Sequence, residues 1–337
     1  MKTAVVGVGR MGRRHIQVVQ ELHLELAGIC DASAESLAAA AVENKVSERL
    51  HYTNFMDMLA KVRPECVVIA TTAPMHCDYT IAAAKAGVRY ILCEKPMAVS
   101  LAQCDQMISV CKQHGAKLAI NHQMRFMERY IIAKELIQSP EYGGISSVIV
   151  SAGNFGIAMN GSHYFEMFRY TTDENPLEVT AWFSAEKVSN PRGPQYEDRA
   201  GSIRITTASG KRFYMDCSAD QGHGMRMIYS GRNGQIYIDE LSGEMAAAAR
   251  QEEHRPLPTT RYGMPATDIA RKIAPADAVS PTRSVMDALL NGKNPPTGED
   301  GRLAVAVLTA AYVSHENGNR PVQVNDKLPL ERVFPWA

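Results

Sequence analysis

No run of apolar residues in this 337-residue chain approaches the roughly 18 that a bilayer demands, so nothing in it reads as a membrane span. Neither sign of charge is in surplus. The 36 Lys+Arg match the 36 Asp+Glu, which excludes the overall field that recruits nucleic acid or an anionic membrane. Cysteine is sparse and unpatterned: Cys30, Cys66, Cys77, Cys93, Cys104, Cys111 and Cys217 form no CxxC pair. That argues against a disulfide framework and against a structural zinc site, and no metal is expected. Several of these thiols stand in apolar runs ("LAGICD", "ECVVIA", "YILCEK") and read as small buried hydrophobes. The opening "MKTAVVGVGR" is broken by glycine and arginine before a secretory core can form, so the expected compartment is the cytoplasm. What remains is an ordinary globular composition, 45% hydrophobic and 21% charged, long enough for two domains.

The first third is organised around a turn. Thr3 to Val6 suits a buried parallel strand, and it runs into Gly7-x-Gly9-x-x-Gly12 and a helical pattern through Ile16, Val19 and Leu22. The first glycine makes the tight turn, the second lets backbone approach a pyrophosphate, and the third lets helix pack against strand. Unpaired N–H groups and the helix dipole then favour the phosphates. A second strand, "LELAGICD", ends in Asp31, about 20 residues past the glycines, where an acidic residue reads the adenosine ribose. No Arg or Lys follows in "ASAES" to hold a 2′-phosphate, so NAD is favoured over NADP. Asp31 also fits a helix N-cap ahead of "AESLAAAAVE". Strand and helix continue to alternate through "ECVVIATTAP", "HCDYTIAAAKAG", "VRYILCE", "LAQCDQMISVCKQHG" and "AKLAIN", the signature of a doubly wound parallel sheet. Ligands of such sheets lie beyond the carboxyl ends of the strands, where "ATTAP" and Glu94-Lys95-Pro96 both stand.

The chain resembles the Gfo/Idh/MocA oxidoreductases in "GVGRMGRRH", "TTAPMHCDYTIAAAKAG", "CEKPMAVS", "NHQMRF", "NGSHYFEMFRY" and "GEDGRLAVAVLTAAYVSHENGNRPV". These segments span both domains in the family's order. The resemblance implies an α/β protein: an N-terminal Rossmann domain, here 1–121, and a C-terminal α+β domain, here 122–337, on a large, mostly antiparallel open sheet. That sheet often makes the oligomer interface, so a homodimer or homotetramer is implied. The implied substrate is carbohydrate-like, with a secondary alcohol oxidised on a sugar, cyclitol, sugar acid or sugar nucleotide. Lys95 and His163 correspond to the family's catalytic groups, and the Lys95–Pro96 bond is often cis there. Many members carry Asp four residues before that histidine; this chain has Met159, which puts an Asp-assisted relay in doubt. The coenzyme contacts implied are Gly7, Gly9, Arg10, Met11 and Gly12 in the turn, Asp31, and Thr71, Thr72, Pro74 and His76 after the "ATTAP" strand. Glu94, Lys95 and Asn121 complete them at later strand ends. Lys95, Arg125, Asn160, His163 and Tyr164 are the expected substrate contacts.

Read alone, the second domain places His163, Met167 and Tyr170 on one face of a helix from Gly161 to about Thr171. Two hairpins follow, around Ser209-Gly210 and Asn233-Gly234, with Ile203, Ile205, Ile228, Ile236 and Ile238 as one apolar face. From about Ala246 to Ser280 no pattern persists, and a loop is expected. Arg169, Arg192, Arg199 and Arg261 are candidates for an anionic substrate group or for surface ion pairs. In the expected chemistry His163 takes the hydroxyl proton and Lys95, with Glu94 orienting it, stabilises the developing oxyanion. Two rival activities fit the same motifs: a dinucleotide-binding regulator without turnover, and an NAD-dependent glycoside hydrolase.

Overall fold

A computed structural model describes residues 1–153, 155–188, 190–218, 220–259, 265–273 and 277–337, apart from the side chains of 186–188. The chain divides into two compact units, where sequence alone drew one boundary after residue 121. Unit one joins Met1–Gln123 to Asp277–Val305 and Pro329–Ala337; unit two joins Met124–Ala276 to Ala306–Leu328.

Unit one is built on β1 (Lys2–Val6), α1 (Arg10–Glu21), β2 (Glu25–Cys30), α2 (Ala34–Asn44), β3 (His51–Tyr52) and α3 (Phe55–Val62). It continues with β4 (Cys66–Ile69), α4 (His76–Lys85), β5 (Tyr90–Cys93), α5 (Leu101–Gln113) and β6 (Lys117–Ile120). Every pair is parallel and the order is β3-β2-β1-β4-β5-β6, the two-halved order whose switch point lies between β1 and β4. Helices on both faces bury β4 end to end and leave β1 and β5 open only at their first residues, which is why, past those residues and apart from the buried Thr3, these runs are Val, Ile, Leu, Ala and Cys. β3 escapes the sequence, because two edge residues carry no periodicity.

Unit two holds α6 (Glu128–Gln138), β7 (Ile145–Ala152), α7 (Ser162–Thr172), β8 (Pro176–Val188), β9 (Asp198–Thr207) and β10 (Arg212–Cys217). Then come β11 (Arg226–Gly231), β12 (Gly234–Asp239), β13 (Glu244–Arg250), β14 (Ala266–Lys272) and the late β15 (Val322–Gln323). Its nine strands run β14-β13-β12-β11-β7-β10-β9-β8-β15, antiparallel except for β7 against β10. Two expectations need correction. Ile228 is off the buried face: β11 turns Met227 and Tyr229 inward, opposite Ile238 and Ile236, and pairs Ile228 with Ile149 and Tyr237. The alternation was read one residue out of phase, which flips every side chain. The stretch from 246 also contains strand, since β13 pairs with β14 over seven residues. "MAAAA" conceals its own alternation because alanine serves both faces, and β14, at the sheet edge, is almost wholly exposed. Arg261 lies outside the described residues.

The chain then adds α8 (Val279–Asn291) to unit one, with Met286 Sδ 4.0 Å from Cys66 Sγ, and enters α9 (Gly298–Glu316). Its last segment also joins unit one: Phe334 N–H donates to Val99 O at 2.9 Å, and Trp336, fully buried, stacks on Phe334. Among the described residues no helix is long and apolar enough to cross a membrane.

Candidate active site

In unit one the parallel strands deliver five chain segments to one sheet edge. After β1, Gly7 turns at φ +81° and its N–H donates to Cys30 O at 2.8 Å. A Cβ on Gly7 would lie 2.6 Å from Ala70 C, and one on Gly12 would lie 1.8 Å from Gly7 O, so both positions are closed to any side chain. A Cβ on Gly9 would meet nothing within 4 Å. That open space, at the exposed start of α1 beside Arg10 and Met11, is what a pyrophosphate needs. After β2, Asp31 is not the helix cap. Ser33 caps α2, its Oγ accepting from Ser36 N–H, while Asp31 accepts from Val8 N–H and Ser33 N–H at 2.9 Å each. The carboxylate therefore braces the glycine turn at the place where the ribose is expected.

After β4 come the half-buried Thr71 and Thr72, then Pro74 in a short 3₁₀ turn. His76, buried, closes this turn onto the next one. Its Nδ1 lies 3.0 Å from Pro96 O and its Nε2 3.1 Å from Thr71 O. Burial pushes this ring below the usual imidazole range, and the two carbonyls oppose the shift. After β5, the Lys95–Pro96 bond is cis. Glu94 is buried, with Oε1 2.8 Å from both His15 Nε2 and Asn121 Nδ2, while Oε2 accepts from Lys95 N–H at 3.3 Å. Burial would raise this carboxyl, but the hydrogen bond and charge of His15, with Lys95 and Asn121, hold it down to about 2. Asn121 follows β6, and Lys95 itself is half-buried.

Unit two gathers its candidates around α7. Asp198, buried at the start of β9, accepts from Ala158 N–H and Met159 N–H at 2.8 Å each and fixes the turn that leads into the helix. Met159 thus meets a carboxylate through its backbone, where the resemblance expects a carboxylate of its own. Asn160 turns its amide back onto Phe155 O. His163, 8% exposed, opens α7. Arg125 is buried against Glu166, whose Oε1 also takes Arg169 Nη2 at 3.3 Å, and its guanidinium lies 5.3 Å from the Tyr170 ring centre. Tyr164 is 2% exposed and donates to Glu240 Oε2 at 3.2 Å, while Tyr130 donates to Glu240 Oε1. Burial raises the Glu240 carboxyl to about 7 against the opposing charge of Arg129.

Sequence reasoning missed His15, Asp198 and Glu240, whose partners lie 79, 39–40 and 76–110 residues away. For His15 a signal existed: a histidine on the inward face of the helix that follows the glycine turn.

Residues 1–122 match the Gfo/Idh/MocA model, described as an oxidoreductase family with an NAD-binding Rossmann fold. Inositol 2-dehydrogenase of Salmonella typhimurium is 24% identical over 96% of both chains. D-apiose dehydrogenase of Paraburkholderia graminis is 27% identical over 94% of this chain and 88% of that one. Among solved structures, the aldose-aldose oxidoreductase from Caulobacter crescentus, complexed with glycerol, superposes with a TM-score of 0.76 at 26% identity, covering 96% and 99% of the two chains. The resemblance and the two-sheet fold expected from the motifs are borne out.

Proposed function

We propose that this Gfo/Idh/MocA oxidoreductase, built on an NAD-binding Rossmann fold, moves hydride between nicotinamide and a secondary alcohol or ketone of a sugar, cyclitol, sugar acid or sugar nucleotide. One observation carries the reading: the glycine turn, Asp31 and a lysine anchored by Glu94 all stand at the carboxyl edge of one parallel sheet. The inositol, apiose and aldose in the relatives' names supply the substrate class.

The open space at Gly9 and the carboxylate of Asp31 fit a dinucleotide, with Thr71, Thr72, Pro74, His76 and Asn121 lining the remaining strand ends. When bound, the coenzyme supplies the hydride acceptor. The protein's share is to place the carbinol carbon and move one proton. In our reading His163 takes that proton at its imidazole, the side chain type that changes charge near neutral pH. Lys95 Nζ donates to the same substrate oxygen and stabilises its growing negative charge. Arg125 and Tyr164, the weaker substrate candidates, are both committed to glutamates, Glu166 and Glu240. Buried, unpaired thiols in all seven cysteines support a cytoplasmic protein. Ile149 and Trp182, 38% and 51% exposed on the outer face of the nine-stranded sheet, support a homodimer or homotetramer formed there.

Purified protein with NAD should generate NADH with at least one member of a panel of polyols, sugars, sugar acids and nucleotide sugars. Lys95→Ala should lower kcat about 10²-fold or more while NADH still binds, and His163→Asn should remove one limb of the pH–rate profile. Normal turnover by Lys95→Ala refutes the mechanism. NADH binding without turnover anywhere in the panel would favour the regulator, and sugar release without net NADH the hydrolase.

A further inference from the structure

The carboxylate of Glu94 is a junction of three segments far apart in sequence. Oε1 meets His15 Nε2 from α1 and Asn121 Nδ2 from the end of β6, each at 2.8 Å, and Oε2 holds the N–H of Lys95 at 3.3 Å. His15 and Asn121 are completely buried and Glu94 nearly so, at 6%. A carboxylate is planar and rigid, so the placing of one oxygen dictates the placing of the other. With Asn121 alone on Oε1, the group could pivot about that single bond, and Oε2 would swing away from Lys95. The second donor on Oε1 removes the pivot. A buried histidine that merely filled space would not require its Nε2 to reach this oxygen.

We propose that His15 is a positioning residue for Lys95, acting through Glu94, so that the helix that receives the coenzyme's phosphates also sets the lysine that meets the substrate. The proposal rests on the dehydrogenase reading above. It places the effect of His15 on turnover and spares coenzyme affinity, since the open space lies at Gly9, at the start of α1, while the His15 ring is buried against Glu94. It also requires that the effect vanish when Lys95 is gone, because residues that act as a unit are non-additive.

The test is a cycle of wild type, His15→Leu, Lys95→Ala and the double variant, each measured for kcat and for NADH Kd by fluorescence. His15→Leu should lose about tenfold or more in kcat with NADH Kd within about threefold. His15→Gln, whose amide nitrogen reaches about as far as Nε2, should recover most of that loss. In the Lys95→Ala background, His15→Leu should change kcat by less than about twofold. Multiplicative losses in the double variant overturn the proposal, as does a fall in NADH affinity equal to the fall in kcat. If His15→Leu does not fold, His15→Asn, whose amide falls short of Glu94, takes its place in the cycle: a tenfold-reduced kcat with unchanged NADH affinity, lost beside Lys95→Ala, supports the proposal. A His15→Asn enzyme as active as wild type would then overturn it. Full activity of Lys95→Ala alone refutes the dehydrogenase reading instead, so the two failures are distinguishable.

Discussion

Consider alanine at Gly9. The backbone there stands at φ −64°, ψ −164°, which alanine adopts freely, and the added methyl would meet nothing within 4 Å. Such a change should leave folding stability intact or raise it by about 0.4–1 kcal/mol, by narrowing the unfolded ensemble. The methyl nevertheless fills the space into which the pyrophosphate must come. NADH Kd should therefore rise about tenfold or more, the equivalent of about 1.4 kcal/mol. Gly12 gives the opposite balance. Alanine in a helix gains about 1 kcal/mol of propensity, yet its Cβ would stand 1.8 Å from Gly7 O and 2.8 Å from Gly7 C. Both contacts are to backbone, so α1 has to shift. Overpacking on this scale costs about 1–3 kcal/mol, which exceeds the gain. Urea unfolding and NADH fluorescence titration on the same preparations separate the two effects. A Gly9→Ala protein that binds NADH like wild type would refute the assignment of this space to the phosphates.

Two glutamates should report opposite pH dependences in separate windows. Glu240, raised to about 7, keeps its proton where the unfolded chain gives it up, so its contribution is present below about 4.5 and is lost as pH rises through 7. Glu94, held to about 2, contributes above 4.5 and loses that contribution as pH falls through 2. Urea unfolding across pH should show Glu240→Gln flattening only the upper window and Glu94→Gln only the lower; a reversed assignment would contradict the buried geometry of both. If the proposed homodimer or homotetramer forms on the sheet's outer face, Ile149→Arg should lower the particle mass by light scattering while the far-UV spectrum is unchanged, and an unaltered mass would refute that interface.

Much of unit one was legible because its signals are local. A glycine that must turn at positive φ, and one that must let a helix touch a strand, leave a spacing within six residues. The apolar runs of β4 and β5 similarly follow from burial on two faces. The junction at Glu94 was not legible, since a carboxylate does not announce whether it will meet a histidine 79 residues earlier or an asparagine 27 later. Asp198 is the same case in unit two. Nothing in "YEDRA" reveals that its aspartate will hold the N–H groups of Ala158 and Met159. The misplaced Ile228 has a different origin: an isoleucine between two larger apolar side chains, Met227 and Tyr229, lets either phase satisfy the pattern.

Unit one begins with the first strand of the chain and is finished only by Trp336 and its neighbours, against Val99 and Ala102. Protein domains commonly mature in the order of synthesis. Here unit one waits for residues 329–337, which follow the inserted strands in the chain, so its closure depends on contacts far apart in sequence. The parallel sheet therefore closes only once β7 to β14, inserted between its parts, have been made, and those strands can pair before it does.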